Sequence, residues 1–448
     1  MKRFLYRGYR RYSGNPHWLV RGFSPAGIVV VICIVATACL GSDTNMAVAY
    51  QPFVFLSILI VFSMLWSLRP KPKVTVRRSL PRTASVGIRF HYTVHLTNKS
   101  RRTVRGLGLI ERMTDARPSL QEFLNIPEPG ESARNIVDRI LGFYRWRWLL
   151  SLRLMAKLRE QTAPPLPPGA TRETVLEMTP LRRGILEFTG MTLARSDPFG
   201  LFRSMQEVSA PDKLVILPKR YPVPLLDLPG SMKYQPGGVT LASSVGESEE
   251  FISLREYRPG DSLRHLHWKS WAKTGKPIVK EFQDEYFVRH AMILDTFTTV
   301  GETELFEEAV SVAASFACSI QTSDSLLDVL FVEGQAYCFT SGRGLAHTGK
   351  LLEILAAVKT CPNKPFSILE RLTLDHLPTV SGCLCIFLAW DEPRQNLARQ
   401  IRMRNVPLQV FVMTPEEEPR LNPGPLSGDP ARFRQIPVPK VREALLRQ

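Results

Sequence analysis

Ala291-Met292-Ile293-Leu294-Asp295 is an unbroken apolar run closed by an acid, and its reading decides the fold of the C-terminal part. A run without period-two alternation is what a strand covered on both faces requires. Just downstream, Leu305, Ala309, Val312, Phe316 and Ile320 fall on one helical face, with Thr303 placed to cap its start. Strands are then predicted at Leu326–Val332 and Ala336–Phe339, joined by the tight turn Glu333-Gly334-Gln335. A helix near Leu351–Val358, a strand Cys383–Ala389, a helix near Arg394–Met403 and a strand Leu408–Met413 follow. This alternation predicts a mostly parallel, doubly wound sheet over 286–448. Ligand sites in such sheets lie beyond the carboxyl ends of the strands, where Asp295, Thr299, Thr340, Ser341 and Asp391 are expected to gather. Oxygen ligands of that kind suit Mg2+.

Upstream, residues 69–220 change to period two. Ile88, Phe90, Tyr92, Val94 and Leu96 alternate with Arg89, His91, Thr93, His95 and Thr97, as in a half-buried strand. Shorter runs at Val104–Ile110, Gly184–Leu193 and Lys213–Leu217 make a β-sandwich the expected architecture, with His91 and His95 on its wet face. Residues 134–168 interrupt it. Here Arg145, Trp146, Arg147 and Trp148 mix guanidinium with indole, which suits the headgroup layer of a membrane. A plain helical insertion packed on the sandwich, and stacking on single-stranded nucleic acid by 134–159, are the competing readings.

Gly22 to Leu68 contains one charge, Asp43, in forty-seven residues. As helix this is roughly 70 Å of apolar chain, enough to cross a core of roughly 30 Å twice. Spans near Ala26–Leu40 and Met46–Leu68, turning at Gly41–Asn45, are therefore expected in 25–68. Six basic residues precede this run and six follow it, which places the basic tail 1–24 and everything after residue 69 in the cytoplasm. A cleaved signal at Ala36-Thr37-Ala38, ahead of Cys39, fits less well, because the second apolar run and its basic flank would remain.

The net charge of +17 is located by the same arithmetic. Residues 1–82 hold twelve basic side chains against one acid, and 134–159 hold seven against one, so the rest of the chain is balanced. Nucleic acid is thus not the partner that the total charge first implies. The seven cysteines are an odd number without pairing rhythm, and Cys383 and Cys385 share a face of one strand, so reduced core thiols are expected.

Between these regions, 221–285 carries Arg255-Glu256-Tyr257-Arg258-Pro259-Gly260-Asp261-Ser262-Leu263-Arg264-His265-Leu266-His267-Trp268-Lys269, and then Ala272-Lys273 and Ile278-Val279-Lys280-Glu281-Phe282. Pro259-Gly260-Asp261 is a turn flanked by charges. Arg255 or Arg264 paired with Glu256 or Asp261 would form a clasp. His265, His267 and Asp261 can also be drawn as a hydrolytic metal centre. No activated nucleophile, phosphate-binding glycine loop or glutamate-bearing His helix accompanies them, so no enzyme is expected.

This stretch closely resembles the bacterial family called domain of unknown function 58, and Ser196-Asp197-Pro198-Phe199-Gly200-Leu201-Phe202 resembles its D-P-F-G-L-F element. Ser262 stands where that family has a second Asp, and Lys273 where it has Arg. The order of parts matches over residues 25–448. The resemblance implies a von Willebrand factor A-like C-terminal domain and an inner-membrane location with two spans. It also implies a scaffold or adaptor role with a MoxR-type AAA+ ATPase as partner, held by Arg255, Glu256, Tyr257, Pro259, Gly260, Asp261, Arg264 and Trp268. The related metal site reads D-x-S-x-S, whereas this chain has Asp295-Thr296-Phe297-Thr298-Thr299, with Phe297 in place of a hydroxyl ligand. Asp295, Thr299 and Asp391 are therefore a degenerate metal set. The whole is expected to be an α+β multidomain membrane protein.

Overall fold

The computed structural model describes residues 2–13, 23–40, 47–67, 69–223, 251–259, 263, 266–282, 289–298, 303–320, 326–341, 345–415 and 420–446. The chain divides into two compact units, Met1–Lys219 and Arg220–Gln448.

The first unit opens with helix α1 (Lys2–Ser13). Two apolar helices follow, α2 (Pro25–Leu40) and α3 (Ala47–Ser67), which pack on each other. Among the described residues one helix is long and apolar enough to cross a membrane, over Tyr50–Ser67. Of the two expected spans, α3 meets that length. With sixteen residues, α2 rises only about 24 Å against a core of roughly 30 Å.

The β-rich region is a sandwich of two sheets. One is ordered β1 (Val74–Ser79), β3 (Phe90–Asn98), β7 (Thr171–Pro180) and β5 (Ala156–Leu158). The other is ordered β2 (Thr83–Ser85), β9 (Arg203–Leu217), β8 (Gly184–Ser196), β4 (Leu107–Met113) and β6 (Gln161–Thr162). Alternation does the sorting: Tyr92, Val94 and Leu96 enter the common core with Leu109, Leu176, Leu186 and Phe188, while His91 faces out toward Glu177. Ile88 was expected on the buried face but lies ahead of the strand and is exposed.

A charged pair enters this core. Arg78 donates to Glu111 through Nε (3.0 Å) and Nη2 (2.6 Å), and to the carbonyls of Gly190 (2.8 Å) and Ala210. Tyr92 donates its hydroxyl to the same carboxylate at 2.8 Å. Burial, then the Glu111 charge, push the Tyr92 phenol far above its ordinary range, so it remains a donor.

A helical insertion leaves the sandwich after β4 and returns at β5. It carries α4 (Leu120–Asn125), α5 (Ile136–Leu141) and α6 (Phe143–Ser151). Ser119 and Glu122 form a reciprocal capping box at the start of α4.

In the second unit, β12 (Arg289–Leu294), β13 (Leu326–Glu333), β14 (Gln335–Ser341), β15 (Gly382–Phe387), β16 (Leu408–Thr414) and β17 (Phe433–Pro437) form one sheet in the order β14-β13-β12-β15-β16-β17. All neighbours are parallel except β14, which turns back on β13 through Gly334 at φ 67°. Helices α8 (Glu304–Ile320), α9 (Leu345–Ala357), α10 (Ser367–His376), α11 (Glu392–Met403) and α12 (Val441–Leu446) alternate with the strands. Every residue of β15 is buried, as its unbroken apolar run predicts. The chain winds to one side of β12 first and to the other side after β14, so the strand order reverses between β12 and β15.

Cys361, Cys383 and Cys385 sit in this core, but Cys338 lies exposed on β14; all seven cysteines are free thiols. Burial pushes the Cys385 thiol well up.

Candidate functional site

The segment from Phe251 to Phe282 forms a small ribbon. Strand β10 (Phe251–Glu256) pairs antiparallel with β11 (Ile278–Phe282), and α7 (Trp268–Thr274) lies between them in sequence. The His267 N–H donates to the carbonyl of Ile278 (2.8 Å), and Leu266 bridges Val279, which ties the start of α7 to β11. His267 Nδ1 is 2.6 Å from the Ser270 hydroxyl, a local turn contact. Trp268 and Trp271, one turn apart, stack at 5.2 Å, and Trp268 is 66% exposed. Lys269 and Lys273 are exposed beside them.

Glu256 does not close a clasp on an arginine side chain as expected. It accepts from Lys276 Nζ at 2.8 Å, a hydrogen bond that lowers the Glu256 pKa and raises that of Lys276. Lys276 is nearer because it lies just ahead of β11, the strand that β10 pairs with. Tyr257 and Pro259 follow β10, and the Tyr257 N–H donates to the Pro277 carbonyl at 2.9 Å. Gly260, Asp261, Arg264 and His265 lie outside the described residues.

The strand ends of the second unit hold a different arrangement from the expected metal set. Asp295, at the carboxyl end of β12, is fully buried at the reversal of strand order. Its Oδ1 accepts from the Phe297 N–H (3.0 Å), and its Oδ2 accepts from the Leu388 N–H (3.0 Å) and from Arg394 Nε (2.6 Å). Asp391 caps α11 and takes Arg394 Nη1 at 2.6 Å. Arg394 Nη2 donates to the Phe297 carbonyl at 3.3 Å, and the guanidinium lies 4.8 Å from the centre of the Phe366 ring. Burial pushes the Asp295 carboxyl up, and Arg394 with the two backbone N–H groups pulls the other way. Burial works against the Arg394 charge too, but Asp295 and Asp391 outweigh it and raise its pKa.

These residues do not fit Mg2+. A guanidinium already joins the two carboxylates, Phe297 packs on Phe366 at 5.6 Å, and Thr299 lies outside the described residues. Among the described residues no group of three His, Cys, Asp or Glu converges as a metal site. Thr340 and Ser341 are also not at this end. Because β14 runs backwards, they pair with Asp328 and Leu327 at the start of β13, where Arg289 binds the Asp328 carboxylate at 2.7 Å.

The expected lipid-facing quartet splits. Arg145 is buried, donating Nε to Glu131 at 2.9 Å and Nη1 to the Phe123 carbonyl at 2.9 Å. Trp146 is buried against Tyr6, Phe123 and Leu149, so α1 packs on Trp146, and both side chains are turned inward. Arg147 and Trp148 remain at least partly exposed. Arg134 pairs with Glu128 and Arg153 with Glu122, so three of the insertion's arginines are balanced by glutamates upstream of residue 134. That pairing takes up three of the seven basic side chains in 134–159 and leaves Arg139, Arg147, Lys157 and Arg159 outside it. The insertion is also rooted at Glu187 and Leu181, about 30 Å along β8 from Ser196. At the Ser196 end of β8, Phe23 bridges Phe202 and the Ser24 N–H donates to Leu201, so this is where α2 joins the sandwich.

Sequence reasoning missed Arg394 and Trp271. Both stand three residues after a residue that was singled out, Asp391 and Trp268, on the same helical face.

Residues 253–381 match the family described as protein of unknown function DUF58. The match spans the ribbon and the sheet through β14, and it ends before Asp391 and Arg394. The uncharacterized protein YeaD of Bacillus subtilis (strain 168) is 24% identical over 199 residues, 44% of this chain and 48% of that one. The chain thus spans about half the length of this curated relative. Among solved structures, the CARDB domain of the PF1109 protein of Pyrococcus furiosus is 13% identical over 33% of this chain and 89% of that chain, with a TM-score of 0.18. Salmonella alpha-2-macroglobulin reacted with methylamine is 13% identical over 36% of this chain and 8% of that one, with a TM-score of 0.19. Likeness at these scores is too slight to build on.

Proposed function

We propose that the protein is a membrane-anchored scaffold whose motif ribbon docks a protein partner, a AAA+ ATPase of the MoxR type. The observation that carries this reading is the Trp268–Trp271 stack on the ribbon, with Trp268 open to solvent. Exposed tryptophan on a rigid element is a typical anchor of a binding hot spot. Lys269 and Lys273 beside it favour an acidic partner face. In this reading α2 and α3 both enter the inner membrane and both chain ends lie in the cytoplasm. The second unit acts as a vWA-like docking domain without a metal, its crevice closed by Arg394.

The test is co-purification of the full chain from native membranes. Wild type is expected to bring down a AAA+ ATPase, and the Trp268→Ala/Trp271→Ala variant to lose it while keeping its unfolding midpoint. Equal recovery by both would refute the ribbon as the docking element.

A further inference from the structure

Between the two sheets of the sandwich, on the side of the short edge strands β5 and β6, lies a cavity of about 590 Å3. That volume is in the range of sites for small ligands, roughly 300–1,000 Å3. Its walls mix the apolar side chains Tyr92, Leu109, Met113, Ala156, Leu158 and Leu176 with the carboxylates Glu111 and Glu177. Both are already held, Glu111 by Arg78 and Tyr92 and Glu177 by Arg89 at 3.1 Å, so neither wall carboxylate is left unpaired. The exposed side is different: Arg159, Glu160 and Arg203 line it together with Phe23 and Pro25. Arg203 pairs with Glu160 at 2.8 Å, whereas Arg159 has no hydrogen bond or ion pair among the described residues.

Phe23 and Pro25 are also where the chain enters α2, so the cavity opens at the start of the apolar helix. We propose that it takes the chain of a single-chain membrane amphiphile with an anionic head, the head meeting Arg159. The proposal rests on α2 and α3 being inserted in a bilayer, which sets the opening at headgroup depth. The apolar part of the wall suits the chain and the unpaired Arg159 at the mouth suits the head, so such a molecule is matched at both ends.

The test uses the full chain in lipid nanodiscs with a diazirine-bearing palmitate as probe, and maps labelled peptides by mass spectrometry. Label is expected on 90–113 and 156–178, saturable by unlabelled palmitate. Leu158→Trp and Met113→Trp, each filling the cavity, and Arg159→Glu, reversing its head group contact, should lower this label about tenfold, a change of about 1.4 kcal/mol. Label on 47–67 should be unchanged, and an unfolding midpoint equal to wild type identifies which variants to score. Label confined to 25–40 and 47–67, or strand label that palmitate does not compete away, overturns the cavity while leaving the membrane reading intact. No label anywhere overturns both.

Discussion

Arg394 joins the carboxylates of Asp295 and Asp391, and that link has a measurable cost if undone. Arg394→Ala strands the Asp295 carboxylate in the core, and breaking one half of a buried pair costs about 3–5 kcal/mol. Denaturant unfolding of the full chain should show that loss. The double variant Asp295→Asn/Arg394→Leu should recover part of it, because no buried charge is then left alone. A single variant as mild as a surface change would refute the role given to Arg394. His290, buried in β12, makes a second residue-level prediction. Burial lowers its pKa, so the folded state holds it neutral while the unfolded chain takes up a proton near its ordinary value of about 6.5. Stability is therefore unaffected well above that value and falls as pH drops below it, toward the lowered folded value. Urea midpoints at pH 7.5 and 5.5 should differ less in His290→Gln than in wild type. Asp295 was legible from its place at the end of an apolar run. What satisfies it was not, because a guanidinium reaching back from the next crossover helix leaves only the i, i+3 trace Asp391–Arg394.

Where elements meet, close approach decides. A Cβ on Gly27 would lie 2.2 Å from the Leu201 carbonyl oxygen, so α2 can seat on the 196–202 loop only with glycine there. Gly27→Val is expected to separate the helix from the sandwich, read as raised hydrogen exchange over residues 23–28 while sandwich stability is kept. Trp146→Ala should cost about 3–5 kcal/mol and free α1, raising hydrogen exchange over residues 2–13 and 120–151 together. Strand and helix types in both units followed from period two and from unbroken apolar runs. The lipid-facing reading of Arg145 and Trp146 failed for a specific reason: the insertion's charge was counted over 134–159, while the glutamates that pair three of its arginines, at 122, 128 and 131, lie just before that window. The misplacement of Thr340 and Ser341 has an equally local cause, since the Gly334 turn reverses β14 and carries its end to the other side of the sheet.

For the molecule as a whole, the net charge of +17 reads differently once its partners are known. Three of the seven basic side chains in 134–159 are internally paired, and the larger cluster flanks the apolar helices, where the proposed anchoring has it orient them in a bilayer. Alkaline carbonate extraction should therefore leave the full chain in the membrane pellet, and deletion of residues 25–67 should release it to the supernatant. The central claim is that the tryptophan ribbon is a docking element, and a photocrosslinking amino acid at Trp268 of the full chain in native membranes tests it most directly. The account predicts one dominant adduct, to a AAA+ ATPase, lost on Trp271→Ala and absent when the crosslinker is placed at exposed Met403. No adduct at Trp268, or the same adducts from both positions, would contradict it.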